Sequence, residues 1–256
     1  MAPKKAAERP ARRTPRRSVL SDDVYEMIKT MIFDHEIAPG SRVNIDAISL
    51  QLEVSQTPVR EALARLESDG LIEKVPLKGY RATELLTFKE LSDLFQFRLL
   101  IEPWAAEQAA KLIDNTGKTA LKAEMQSAKT AIKFAGENQF QALSEHDSRF
   151  HTLISSISGN QTVADFYGRT HCHLHLFRLY MANKLHRIDS GSRTDFIKDL
   201  FEQYYQSGSG QLAIKEHDAI ANAILDQNAK AAKAAMHAHI ESSLKRFSPA
   251  AHAAEK

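Results

Sequence analysis

Apolar residues recur at helical spacing along most of the chain, and strand-like alternation is confined to one short stretch. Val24, Ile28, Met31 and Ile32 form a stripe between Ser21 and His35, after which Pro39-Gly40 marks a turn. Asn44 stands where it can cap a second short helix carrying Ile45, Ile48 and Leu52. A third helix begins after the N-cap residue Ser55, tolerates Pro58 in its first turn, and ends at Gly70, where a left-handed cap is wanted. Val59, Leu63 and Leu66 share one face of it, which turns Gln56, Thr57 and Arg60 toward the opposite, N-terminal side. Residues 71–83 read as a two-stranded hairpin with Lys78 and Gly79 at its tip. Three helices followed by a hairpin make a winged helix-turn-helix, an arrangement that sends its second motif helix into a DNA groove.

From Leu85 onward the periodicity is purely helical. Thr87 and Glu90 have capping-box spacing and open a helix with Leu91, Leu94, Phe95, Leu99 and Ile101, in which Pro103 predicts a kink or an offset restart. Further helices are expected over 116–136, 139–158, 161–187, 211–226 and 229–247. The predicted fold is therefore mainly α: a winged helix-turn-helix of three helices and a small hairpin, then an all-α antiparallel six-helix bundle. The expected division is a disordered basic tail (1–17), a DNA-binding domain (18–84), an effector-binding, metal-binding and dimerisation domain (85–247), and a flexible C-terminus (248–256).

Composition changes little in this picture. The 256 residues are 43% apolar and 26% charged, ordinary values for a two-domain globular chain. A single cysteine, Cys172, excludes an internal disulfide. No apolar run approaches membrane-spanning length and the N-terminus lacks a secretory pattern, so a cytoplasmic location without a membrane partner is expected. Charge is unevenly placed: residues 1–17 hold seven Lys or Arg against one Glu, whereas residues 18–84 hold seven basic against twelve acidic residues. The tail can add sequence-independent phosphate contacts or simply aid solubility.

Candidate chemistry lies in the bundle. Asp147 and His151 are four apart beside the stripe of Leu143, Phe150 and Ile154, so a carboxylate and an imidazole project inward together. His217 accompanies Ile220 and Ile224 on the inner face of its helix. Near Met236, periodicity leaves His237 and His239 equally displaced from the stripe. Arg98 and Arg178 have the chemistry to grip an acidic effector, and Arg98 is also spaced to pair with Glu102. In His171-Cys172-His173-Leu174-His175, His171 and His175 share a helical face and His173 does not; the cluster reads as cavity lining or surface, with His175 counted among the effector contacts.

The segments Val24-Tyr25 through Ile32, Ile37-Ala38-Pro39-Gly40, Val54 through Leu66, and Asp69-Gly70-Leu71-Ile72 followed by Gly79-Tyr80 resemble the GntR superfamily of bacterial transcription regulators, in its FadR-type branch. The resemblance continues through Arg98 to Glu102, His146 to His151, Ser158-Gly159-Asn160, Glu216 to Ile220 and Met236 to Ile240, which match that branch's FCD ligand-binding domain. It implies DNA contacts from Ser55, Thr57 and Arg60 and a wing that approaches the minor groove at Gly79. It also selects His239 over His237 and implies a divalent metal held by Asp147, His151, His217 and His239. Zinc comes first for that site, with nickel, manganese or iron as alternatives, since no thiolate is present. Two positions depart from many relatives: Gln56 where Arg is common, and Asp46 where some carry a basic contact. The stretch between Arg187 and Gln211 is read as an insertion.

Two function classes follow. The first is a homodimeric regulator, a repressor by family habit and not an enzyme, whose affinity for a palindromic double-stranded operator is modulated by a small organic or sugar acid. The second is an enzyme using the Asp/His3 site as Lewis acid. No His-Glu-x-x-His, phosphate loop or nucleophile motif favours the second.

Overall fold

The computed structural model describes residues 17–133, 136–185 and 209–254. Residues 1–16 of the basic tail and nearly all of the expected 188–210 insertion lie outside them. The N-terminal part comprises α1 (Arg17–Phe33), β1 (Arg42–Val43), α2 (Ile45–Gln51), α3 (Gln56–Ser68), β2 (Ile72–Val75) and β3 (Gly79–Ala82). Asn44 Oδ1 caps α2 by accepting from the backbone N–H of Asp46 and Ala47. Helix α3 ends in a Schellman arrangement, with Gly70 N bonded to Glu67 O and Leu71 N to Leu66 O while Gly70 adopts φ +69°. Ile28, Val59, Leu63, Leu66 and Leu71 are fully buried in the core that these elements share.

The expected two-stranded hairpin is a three-stranded sheet in the order β1-β3-β2. Arg42 pairs with Arg81 and Val43 with Tyr80. The two residues of β1 have no periodicity to read; they become a strand because the outer edge of β3 is there to pair with.

The second part is α4 (Phe88–Leu112), α5 (Asn115–Ala131), α6 (Gly136–Ile157), α7 (Gln161–Arg169), α8 (Cys172–Leu185), α9 (Ser209–Leu225) and α10 (Ala229–Ala254). Thr87 and Glu90 form a reciprocal capping box at the start of α4. Replacing Thr87 with Ala is expected to cost about 1 kcal/mol of stability, measured by urea unfolding. Pro103 does not break α4, which runs on to Leu112. The final helix continues to Ala254, beyond the expected end at residue 247 and past Pro249.

One expected helix, 161–187, divides into α7 and α8. His171 takes φ +44° between them, and Thr170 Oγ1 donates to Tyr167 O at 2.7 Å. A threonine hydroxyl and a left-handed histidine make the break, just after Gly168, whose carbonyl accepts from His171 N at 3.3 Å. The bundle core gathers Phe95, Leu121, Phe150, Leu179, Ile220, Met236 and Ile240 from six helices. Helix α8 touches both cores: Cys172, Leu176 and Leu179 lie in the bundle, while Leu174 packs against the N-terminal one.

Candidate metal centre and nucleic-acid interface

Helix α6 places Asp147 and His151 one turn apart, and α9 and α10 bring His217 and His239 against them. One ligand atom from each of the four lies within 4.8 Å of all the others. His239 Nε2 stands 3.2 Å from His151 Nε2 and 3.3 Å from His217 Nε2. Asp147 Oδ1 lies 3.3 Å from His217 Nε2 and 3.8 Å from His151 Nε2. The three imidazoles are buried. His237, which periodicity could not separate from His239, is half exposed and pairs with Glu241 at the surface.

A second layer decides what these atoms present to one another. The Glu102 carboxylate accepts from His151 Nδ1, and Glu216 Oε2 accepts from His239 Nδ1 at 2.8 Å. Glu124 Oε1 accepts from His146 Nδ1 at 2.8 Å, so His146 Nε2 is left as the acceptor for His217 Nδ1 at 2.9 Å. With every Nδ1 holding its proton, all three Nε2 atoms aim lone pairs at the same point as Asp147 Oδ1. Four converging acceptors repel one another unless a cation lies between them, and a carboxylate behind each imidazole is the usual support of metal-bound histidine. The donor set therefore fits a divalent ion.

Electrostatics agree with neutral imidazoles. Burial pushes His151 down to about 3 and His239 and His146 to about 4. Burial alone would raise Asp147, yet the His173 ring against its Oδ2 holds it well below the carboxylate range. Because the unfolded chain takes up protons near pH 6.5 and the native imidazoles only near 3 to 4, the unfolded state binds more protons in between, so stability falls as pH falls. Chelator-treated protein is expected to lose thermal stability steadily from about pH 6.5 to pH 4. Melting curves across that range check this, and a flat profile would contradict the neutral assignment.

Arg98 is fully buried, its Nε donating to Glu102 Oε1 at 2.5 Å. Its Nη1 and Nη2 complete no hydrogen bond among the described residues, although the buried Cys172 thiol is near enough to interact with the guanidinium. Glu102 thus bridges Arg98 to His151, and two unspent donors of a buried cation lie beside the centre. Sequence reasoning missed Glu102, Glu124, His146 and Glu216 as supports. Helical spacing linked Glu102 only to Arg98, and the others meet their partners across helices.

The His171–His175 cluster divides. His173, the member set apart by spacing, lies with Nδ1 2.5 Å from Asp147 Oδ2 and Nε2 2.6 Å from the Tyr167 hydroxyl. Together with Tyr167, Cys172, Ser148 and Thr152 it also lines a cleft between α6 and α8. His175 and Arg178, expected among the effector contacts, lie against the N-terminal part and outside the four-ligand group. His175 sits against Gly70, whose absent Cβ would come 3.1 Å from the His171 ring and 3.6 Å from His175 Nε2. Arg178 reaches the segment after β3, donating to Thr83 Oγ1 at 2.6 Å, Thr83 O at 2.5 Å and Glu84 O at 3.4 Å. Helical spacing places residues on a face but does not reveal that this face of α8 meets another domain.

At the other end of the chain, Gln56, Thr57 and Arg60 are exposed on the first turns of α3, with Pro58 and Val59 turned inward. Ser55 occupies the N-cap position but its side chain makes no capping hydrogen bond. Leu77 and Lys78 project at the tip between β2 and β3, and Gly79 opens β3 with φ +87° and no heavy atom within 4 Å of where a Cβ would stand.

Comparison with known proteins matches residues 20–82 to the family described as bacterial regulatory proteins, gntR family, and residues 93–242 to the FCD domain. The chain is a GntR-family transcription regulator with an FCD domain. This DNA-binding regulator is 26% identical over 166 residues to the HTH-type transcriptional regulator YdhC of Bacillus subtilis, an alignment covering 65% of this chain and 73% of YdhC. It is 27% identical over 146 residues to the HTH-type transcriptional repressor RspR of Escherichia coli, covering 57% and 62% of the two chains. The solved structure of E. coli McbR/YncC shares the regulator's fold with a TM-score of 0.62 at 15% identity, covering 89% of this chain and 96% of that one. The family and these relatives are regulators and not enzymes. No described helix of the regulator is long and apolar enough to cross a membrane.

Proposed function

We propose that this regulator is a metal-anchored sensor of a small carboxylic acid that represses transcription as a homodimer on a palindromic operator. The observation that carries the proposal is the Arg98 guanidinium, buried beside the four-ligand centre with Nη1 and Nη2 unspent. A buried donor without a partner costs about 1–3 kcal/mol, more when charged, and a carboxylate satisfies two at once. Asp147, His151, His217 and His239 would hold the ion. Zinc suits nitrogen and oxygen donors: bonds of about 2.0–2.1 Å put tetrahedral ligand atoms roughly 3.3–3.4 Å apart, close to three of the separations given above. Nickel, manganese and iron share the donor preference. A divalent ion there supplies positive charge toward an effector oxygen, and Arg98 orients the rest of the acid.

Transmission runs through α8. His173 at its start touches Asp147, Leu174 enters the DNA-binding core, His171 and His175 abut Gly70, and Arg178 holds Thr83 and Glu84. An effector that favours one position of Asp147 and His173 favours one position of α8, and so of the winged domain. Ser55, Gln56, Thr57 and Arg60 on α3 and Lys78 and Gly79 on the wing are the groups proposed to face DNA. Repression is supported by the name of RspR, and the dimer by the symmetry of operators that helix-turn-helix proteins read.

The test is operator binding by fluorescence anisotropy, with a duplex selected from a random pool and a panel of hydroxy and sugar acids. An acid that shifts wild-type affinity should lose at least about tenfold in potency in Arg98→Ala, with DNA binding in its absence unchanged. An unaltered response in that variant would remove Arg98 from the effector site.

A further inference from the structure

The recognition face holds a hydrogen-bonded chain that begins outside the recognition helix. Asp46 lies in the first turn of α2, where the end of the helix favours a carboxylate, and the Asn44 cap fixes the backbone there. Asp46 Oδ1 accepts from Gln56 Nε2 at 2.5 Å, and Gln56 Oε1 accepts from Arg60 Nη2 at 3.0 Å. The order is dictated by chemistry. A carboxylate can only accept, so it selects the amide nitrogen of Gln56; the amide oxygen is thereby turned to Arg60, which can only donate.

We propose that Asp46 is a positioning residue for base readout: through Gln56 it holds the Arg60 guanidinium in the orientation that reads one guanine edge. Guanine offers two acceptors, O6 and N7, that match the paired donors of arginine, and a good bidentate contact discriminates by about 1–3 kcal/mol, roughly five- to 150-fold. The inference rests on α3 being the helix that faces DNA. Asp46 also brings a negative charge toward the phosphates. That repulsion weakens every duplex alike, whereas positioning acts at one base pair, so the two effects separate.

The experiment uses the full chain, a duplex selected by wild type from a random pool, its single-base-pair variants and an unrelated duplex. Asp46→Asn removes the charge but keeps an acceptor oxygen; it should bind the unrelated duplex more tightly and keep its base preference. Asp46→Ala removes both and should lose about tenfold discrimination at one G·C pair per half-site. That pair should be the one at which Arg60→Ala loses discrimination, and the double variant should lose no more there than Arg60→Ala alone. Gln56→Met, which breaks the chain without touching α2, should lose preference at the same pair. Full discrimination in Asp46→Ala, or a loss at a different pair, overturns the proposal. If Arg60→Ala itself keeps every base preference, the assignment of the α3 face fails, and the proposal with it.

Discussion

His217→Ala is expected to lower affinity for the divalent ion by at least about 100-fold. Structural zinc sites bind with roughly 10–16 kcal/mol spread over four ligands, so removing one forfeits about 3 kcal/mol, a hundredfold or more. His217 carries additional weight because its Nδ1 closes the relay through His146 to Glu124, and because its ring stacks on Phe150 at 4.1 Å. Alanine leaves His146 Nε2 without its donor and opens space beside a buried aromatic ring. The supporting carboxylates should matter less: Glu216→Gln keeps an acceptor oxygen for His239 Nδ1 but not the charge, and such second-layer changes typically cost about 10- to 100-fold. Competition against a chromophoric chelator measures both variants. Equal and small losses would mean that these residues form a structural network and not an ion site.

The second large effect is expected at Arg178. Arg178→Ala should bind operator and acid yet respond to the acid little or not at all. Its guanidinium is buried and spends its bonds on Thr83 and on the Glu84 carbonyl, at the segment where the winged domain ends. Without it α8 keeps Leu174, His171 and His175 as apolar and ring contacts, but loses the polar fastening that fixes the direction of coupling. Allosteric coupling typically spans about 5- to 150-fold in affinity, and this variant should fall to near unity. Thr83 O also loses its partner, at a cost of about 1–3 kcal/mol, so melting curves accompany the binding data. A response of full size in a folded Arg178→Ala protein would place transmission elsewhere.

The parts of the molecule legible in its sequence are those with local causes. Asn44, Thr87-Glu90 and Gly70 act within one turn of themselves, and the stripes of α1 and α3 repeat often enough to fix a face. Asp147 and His151 share a helix face for the same reason. The rest depends on contacts between elements distant in the chain. His239 and His237 differ only in which side of α10 meets α6 and α9, and β1 exists only because β3 is beside it. His173 lies off the face shared by His171 and His175, and that is what brings it to Asp147 while His175 meets Gly70. Arg178 has the chemistry of an anion clamp, yet its bonds go to the chain after β3.

Ion, acid and operator are proposed to be linked through one centre. The most direct test of that link is to strip the full chain with chelator, titrate zinc back, and follow operator affinity at each step with and without an active acid. The acid's effect on DNA binding is expected to be absent in the stripped protein, to return in proportion to bound zinc, and to be complete at one ion per chain. An effect of full size in metal-free protein, or none with the ion restored and operator binding intact, would contradict it.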